Sequence, residues 1–170
     1  MEDKIINRVA ASNLITFDLE ELYSSGKRVV LDIKDNLFQG LILKEKDFRD
    51  YIKVHNWSQF EGTHIAITCT ADAIIPTWAF MLLAATLHPF AKTVVFGSAE
   101  DLERQLFQQK FNTIDWKKFT NEKVIIKGCS KVLVPVAVYV EAINRLQPFA
   151  ASIMFGEACS TVPLFKQKKT

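Results

Sequence analysis

Apolar residues in the middle of this chain fall in short unbroken runs rather than in alternation. HIAIT (64–68), TVVFG (93–97), KVIIK (123–127) and ASIMFG (151–156) are each five or six residues long. That is the signature of strands buried on both faces, as in parallel sheets. Between the first two runs lies PTWAFMLLAATLH (76–88), and between the second two lies PVAVYVEAINRLQ (135–147). Both are long enough for a crossover helix. Pro76 and Pro135 fit the first helical position, where a missing N–H costs nothing. Pro89 and Pro148 stop the helices. Strand, helix, strand in this spacing is the βαβ unit.

The two units are copies. Shifted by 59 positions, residues 57–97 lie without gaps over residues 116–156, and ten of the 41 positions are identical. Trp57/Trp116, Pro76/Pro135, Pro89/Pro148, Phe90/Phe149 and Gly97/Gly156 are among them. Chance at ordinary residue frequencies gives roughly two or three matches. Between the copies, AEDLERQLFQQKF (99–111) is an amphipathic helix with Leu102, Leu106 and Phe107 on one face. Ahead of them, RVVLDIKDNLFQGLIL (28–43) predicts two strands with a turn near Asp35-Asn36, and KEKDFRDYIKVH (44–55) predicts a helix. The expected fold is α/β: a mostly parallel sheet from two tandem βαβ repeats, 57–97 and 116–156, preceded by an N-terminal ββα piece. Nothing in the composition divides it, so residues 1–170 are expected as a single domain with an internal duplication.

The crossover helices differ. Helix 135–147 carries Glu141, Asn144 and Arg145 along one side, as a solvent-facing helix should. Helix 76–88 has no fully charged residue on any face, so something must cover it. The cover is either the N-terminal segment or a second molecule, in a homodimer or with another protein, meeting Trp78, Phe80 and Met81.

Composition narrows the function classes. With 49% hydrophobic and 24% charged residues the chain is an ordinary globular protein. A net charge of +2 with scattered basic residues predicts no nucleic-acid partner. The longest apolar run, AIIPTWAFMLLAATL, contains a Pro and falls short of a membrane span. The N-terminal MEDKIINRVAASN has no apolar core of a secretory signal, so a cytoplasmic location is expected. Three cysteines in a reducing compartment are then thiols or metal ligands.

Ligand sites on an open parallel sheet form beyond the carboxyl ends of its strands. Cys69 and Cys129 each end the first strand of a copy, and Cys159 follows the last. All three are expected on one edge, with Asp72 and Glu157 in the same loops. The histidines fall elsewhere: His64 begins a strand, His88 ends a helix running back, and His55 ends a surface helix. This placement argues against a Cys–His pair or a Ser–His–Asp triad. Three thiols with a carboxylate suit Zn²⁺ or an iron–sulfur cluster. They also suit inert core cysteines, or a thiol activated at a helix N-terminus. The sequence lacks GxGxxG, GxxxxGK[ST], HExxH and GxSxG. The carboxylates of FDLEELY (17–23) and the pair Asp32, Asp35 are read as solvated.

The segments LITFDLEELY, VVLDIKDNLFQGLILKEKDFRDY, ITCTADAIIPTWAFMLLA, VIIKGCS, VPVAVYVEA and SIMFGEACSTVPLFK resemble a bacterial family known as domain of unknown function 2480. The resemblance runs from Asn7 to Lys166. It implies a genomic neighbourhood of iron–sulfur cluster assembly components. In that setting three cysteines with Asp72 look like the ligand set of the pathway's scaffold proteins, in which three Cys and one Asp hold zinc or a nascent cluster. The spacing here departs from those scaffolds, and only the ligand type is shared. Copy one also resembles the phosphorylatable STAS signalling modules, with Asp72 and Thr77 near the polar loop, although their Asp-Ser-Ser-Gly pattern is missing. The leading reading is therefore a non-enzymatic accessory protein binding zinc or an iron–sulfur cluster through Cys69, Cys129, Cys159 and Asp72. The alternatives are a STAS-like interaction module with inert cysteines and a thiol-dependent enzyme with Cys69 or Cys129 as nucleophile.

Overall fold

The computed structural model describes residues 14–128, 131–157 and 160–168. The chain resolves into two compact units. One is Ser24–Gln105; the other takes the chain up to Tyr23 and from Leu106 onward. Each unit has its own sheet and its own core.

In the Ser24–Gln105 unit the order is β1, Arg28–Asp32; α1, Glu45–Val54; β2, His64–Thr68; α2, Thr77–Leu87; β3, Thr93–Phe96. The three strands are parallel and neighbours in sequence order. Ile65 and Ile67 of the central strand are buried under Phe48 of α1 and Ala79, Leu83 and Leu87 of α2. Those three α2 residues recur every four positions, so they form one stripe along the helix. α1 also packs on Trp78 of α2. The Phe48 and Trp78 rings meet edge to face at 6.1 Å, and the Arg49 guanidinium lies 5.6 Å from the Trp78 ring centre.

The second unit repeats the plan. Its strands are β4, Leu14–Asp18; β5, Lys123–Lys127; β6, Ser152–Glu157; and β7, Ser160–Lys166, in spatial order β4-β5-β6-β7. β4, β5 and β6 are parallel, and β7 adds an antiparallel edge. The helix between β5 and β6, α4 (Val136–Leu146), buries Val138, Ala142 and Leu146, each 59 residues from its counterpart in α2. Ahead of β5 runs α3, Ala99–Phe111, which begins in the Ser24–Gln105 part of the chain; its Phe107 and Phe111, past that boundary, enter this core.

The mostly parallel α/β architecture with two βαβ repeats is as the sequence predicts, and helices and strands of the repeats lie within a residue or two of their expected bounds. Three features differ. The strands form two sheets rather than one. Of the two strands expected in 28–43 only the first forms; Lys34–Asn36 is a 3-10 turn, and Phe38 and Ile42 make an isolated bridge. Gln39 and Gly40, both at positive φ, close that bridge too tightly for a second strand to extend from it. Finally, β4 and β7 are strands the sequence reading does not contain. β7 includes Pro163, which lacks a ladder N–H and is tolerated because the strand lies at the sheet edge, at a register shift.

The repeat extends into detail. Trp57 Nε1–H donates to the Ile52 carbonyl at 2.7 Å, and Trp116 Nε1–H to the Phe111 carbonyl at 3.0 Å. Gly62 and Asn121 hold the same left-handed conformation before the central strand, with φ of 69° and 62°. Glycine and asparagine are the residues that adopt it at least cost.

Candidate functional site

The loop after β2 carries Cys69, Thr70 and Asp72. Asp32, the last residue of β1, ties it to the sheet. Asp32 Oδ1 accepts the backbone N–H of Thr70 (3.1 Å) and of Lys34 (3.0 Å), and Oδ2 accepts the Thr70 hydroxyl (2.5 Å). Burial alone would push this carboxyl up. The bonds from Thr70 and Lys34, with the Lys34 ammonium, outweigh it and hold Asp32 below the ordinary aspartate value of 3.8. Asp32 is thus a fixed anchor rather than the solvated carboxylate expected.

Cys69 is a free, half-buried thiol packed against the unit's core. Asp72 is exposed. Cys129 and Cys159 lie outside the described residues. Among the described residues no three His, Cys, Asp or Glu side chains are grouped so as to hold a metal ion. In the second unit the matching sheet edge carries ion pairs: Lys127 Nζ lies 3.4 Å from Asp18 and 3.9 Å from Glu157.

The histidines have structural surroundings. His64 is buried, with Nδ1 3.1 Å from the Thr93 hydroxyl and Nε2 3.1 Å from the Ser25 carbonyl. His55 stacks on Phe60 and lies 4.4 Å from Trp57. His88 caps α2 through its backbone N–H to the Ala84 carbonyl.

The three residues proposed for partner contact separate by exposure. Trp78 and Phe80 are half-buried, Trp78 beside α1 and Phe80 against Phe96 with ring centres 4.8 Å apart. Met81 is 66% exposed. Ile74, in the loop entering α2, is 94% exposed, and Phe96, at the end of β3, is 66% exposed. Sequence reasoning missed Ile74 and Phe96, because an apolar residue in a loop or closing an apolar strand reads as core.

The same pattern recurs 59 residues on. Leu133, Val140 and Phe155 occupy the positions of Ile74, Met81 and Phe96, and all three are exposed. Tyr139 meets Phe155 edge to face at 5.7 Å, as Phe80 meets Phe96. Two units that diverged in most surface residues both leave large apolar side chains outside their cores at these three places. No helix among the described residues is long and apolar enough to cross a membrane.

The family described as "Protein of unknown function (DUF2480)" matches residues 3–167. The chain belongs to this family. The family's description assigns no activity, ligand or partner. No curated protein and no solved structure matches the chain.

Proposed function

We propose that this DUF2480 protein is a non-enzymatic interaction module that binds a protein partner through the apolar surface of α2 and the adjoining strand end. Ile74, Met81 and Phe96 would supply the contact, with Trp78 and Phe80 supporting them from beneath. The observation that supports it is the exposure of these residues together with its repetition at Leu133, Val140 and Phe155. Exposed apolar side chains scattered singly mean little, whereas a set that recurs on a helix and a strand end of both copies supports reading these positions as an interaction surface.

The test is association measured by sedimentation across a concentration series and by affinity capture, for the native protein and for Met81→Asp. A buried interface charge without a partner costs several kcal/mol, so Met81→Asp should weaken association by about a hundredfold or more while leaving the melting temperature unchanged. An association profile indifferent to Met81→Asp would overturn the reading. Metal content of the anaerobically purified protein tests the alternative. Stoichiometric zinc or iron, lost on Cys→Ser substitution, would favour a cofactor-binding accessory protein instead.

A further inference from the structure

At the opposite edge of the four-stranded sheet, the strand ends gather lysines. Lys123 opens β5, Ser152 opens β6 and Lys166 closes β7. In register, Lys123 faces Ser152 and Ser152 faces Lys166. Directly paired residues project to the same side of a sheet, so the three side chains stand in a row. The Gln167 N–H donates to the Ala151 carbonyl at 2.9 Å, which carries the chain on to Lys168 at the same edge. Asn121, Lys123, Ser152, Lys166, Gln167 and Lys168 line a depression of about 960 Å³ there. None of these three lysines forms an ion pair with a carboxylate among the described residues, although Lys127, in the same strand as Lys123, forms two.

The other unit supplies an internal comparison. At the positions of Lys123 and Ser152 it has His64 and Thr93, which satisfy each other, and the second nitrogen of His64 meets the Ser25 carbonyl. β7 has no counterpart in the three-stranded sheet. The lysine row is therefore an addition to one copy and not a property of the repeated fold. Lys123 and Lys166 flank Ser152 in register and Lys168 lines the same depression; like charges gathered there repel one another, and a bound multivalent anion reverses the sign of that interaction. The hydroxyl of Ser152 and the amides of Asn121 and Gln167 add uncharged donors to the same space.

We infer that this depression binds a small anion bearing several phosphate groups. Its volume exceeds that of one orthophosphate, and lysines act on phosphate as point charges that need no planar geometry. The site is independent of the apolar surface in the other unit.

Titration with tripolyphosphate, followed by calorimetry and by amide chemical shifts, tests it. The expected result is saturable binding with one ligand per chain, shifts concentrated at Asn121, Ser152 and Gln167, and weakening as salt is raised. The double variant Lys123→Gln/Lys166→Gln should bind at least about tenfold more weakly, whereas Lys53→Gln/Lys110→Gln, which changes exposed lysines elsewhere, should stay within about twofold. Far-ultraviolet circular dichroism and melting curves would establish that both variants fold. Absence of saturable binding at millimolar tripolyphosphate, or equal loss in the two double variants, would overturn the inference. Equal affinity for citrate would overturn the assignment to phosphate.

Discussion

Asp32→Asn removes one charge and almost no volume, which isolates what the anchored carboxylate contributes. The native group accepts three hydrogen bonds, two from backbone N–H groups and one from the Thr70 hydroxyl, with its side chain 20% exposed. Asparagine keeps one carbonyl oxygen for the two backbone donors. It places an amide where Oδ2 received the Thr70 hydroxyl. A hydrogen bond to a charged group contributes about 1.5–3 kcal/mol, against about 0.5–1.5 for a neutral one. Since the site is partly solvated, and the amide recovers some of the contact with Thr70, the expected net loss is about 1–2 kcal/mol. In a chain of this size each kcal/mol shifts the melting temperature by roughly 2–4 °C.

The pH dependence has a fixed sign. The folded carboxyl titrates below the unfolded value of 3.8, so the unfolded chain binds more protons and stability rises with pH. The contribution is fully present above 3.8 and is lost as pH falls from there through the lowered value. Melting curves of the native protein and of Asp32→Asn should therefore differ by a constant interval near neutrality and converge in acid. A gap that persisted unchanged well below 3.8, or no gap near neutrality, would refute the reasoning.

Two further substitutions test the packing. Leu83→Ala empties a fully buried place in the α2 stripe and should cost about 2–5 kcal/mol by urea unfolding, whereas Met81→Ala two residues earlier should stay within about 0.5; equal costs would mean the buried face of α2 is misassigned. Gly97→Ala should lower the melting temperature by the equivalent of about 1–3 kcal/mol, because φ is +136° and the new Cβ would lie 2.6 Å from an Asp101 carboxylate oxygen. That oxygen accepts the Ser98 N–H and hydroxyl at the start of α3, so a neutral outcome would show that the cap can be rebuilt elsewhere.

The parts of the fold that were legible are those whose pattern is local. HIAIT is buried at its first four residues and KVIIK at its central three, and Pro76 and Pro135 stand immediately before α2 and α4. β4 was not legible for the opposite reason. LITFD runs straight into LEEL, and its pairing partner, Lys123–Lys127, is far downstream. A signal for it does exist. LITFDLEEL laid over RVVLDIKDN puts Asp18 on Asp32 and Leu19 on Ile33. Both apolar residues are fully buried, and both aspartates accept the N–H two residues on at 3.0 Å. The candidate site was less legible. Cys69 could be placed at a strand end from sequence alone, but the anchoring of its loop by Asp32 depends on β1 lying beside β2 in register, with Asp32 facing Thr68.

That second alignment changes what the duplication means. Each unit consists of a leading strand and 3-10 turn, a helix, and then strand, helix, strand. In the Ser24–Gln105 unit these pieces are consecutive. In the other unit the leading strand, β4, comes first in the chain, and most of the Ser24–Gln105 unit intervenes before α3, whose first residues still belong to that unit, and the remaining strands. A shift of 59 aligns the strand–helix–strand pieces, whereas the leading strands and their 3-10 turns are offset by 14 in the other direction, because Leu14 takes the place of Arg28. The same comparison separates core from surface. Residues at 65, 67, 83 and 87 and their counterparts at 124, 126, 142 and 146 are buried in both units, as hydrophobic periodicity predicts. Residues at 74, 81 and 96 and their counterparts at 133, 140 and 155 are equally apolar and exposed in both. Periodicity cannot tell these two sets apart, since it registers hydrophobicity and not what covers it. Two copies of one scaffold can, because a side chain left uncovered twice at the same place is a property of the scaffold rather than an accident of one surface.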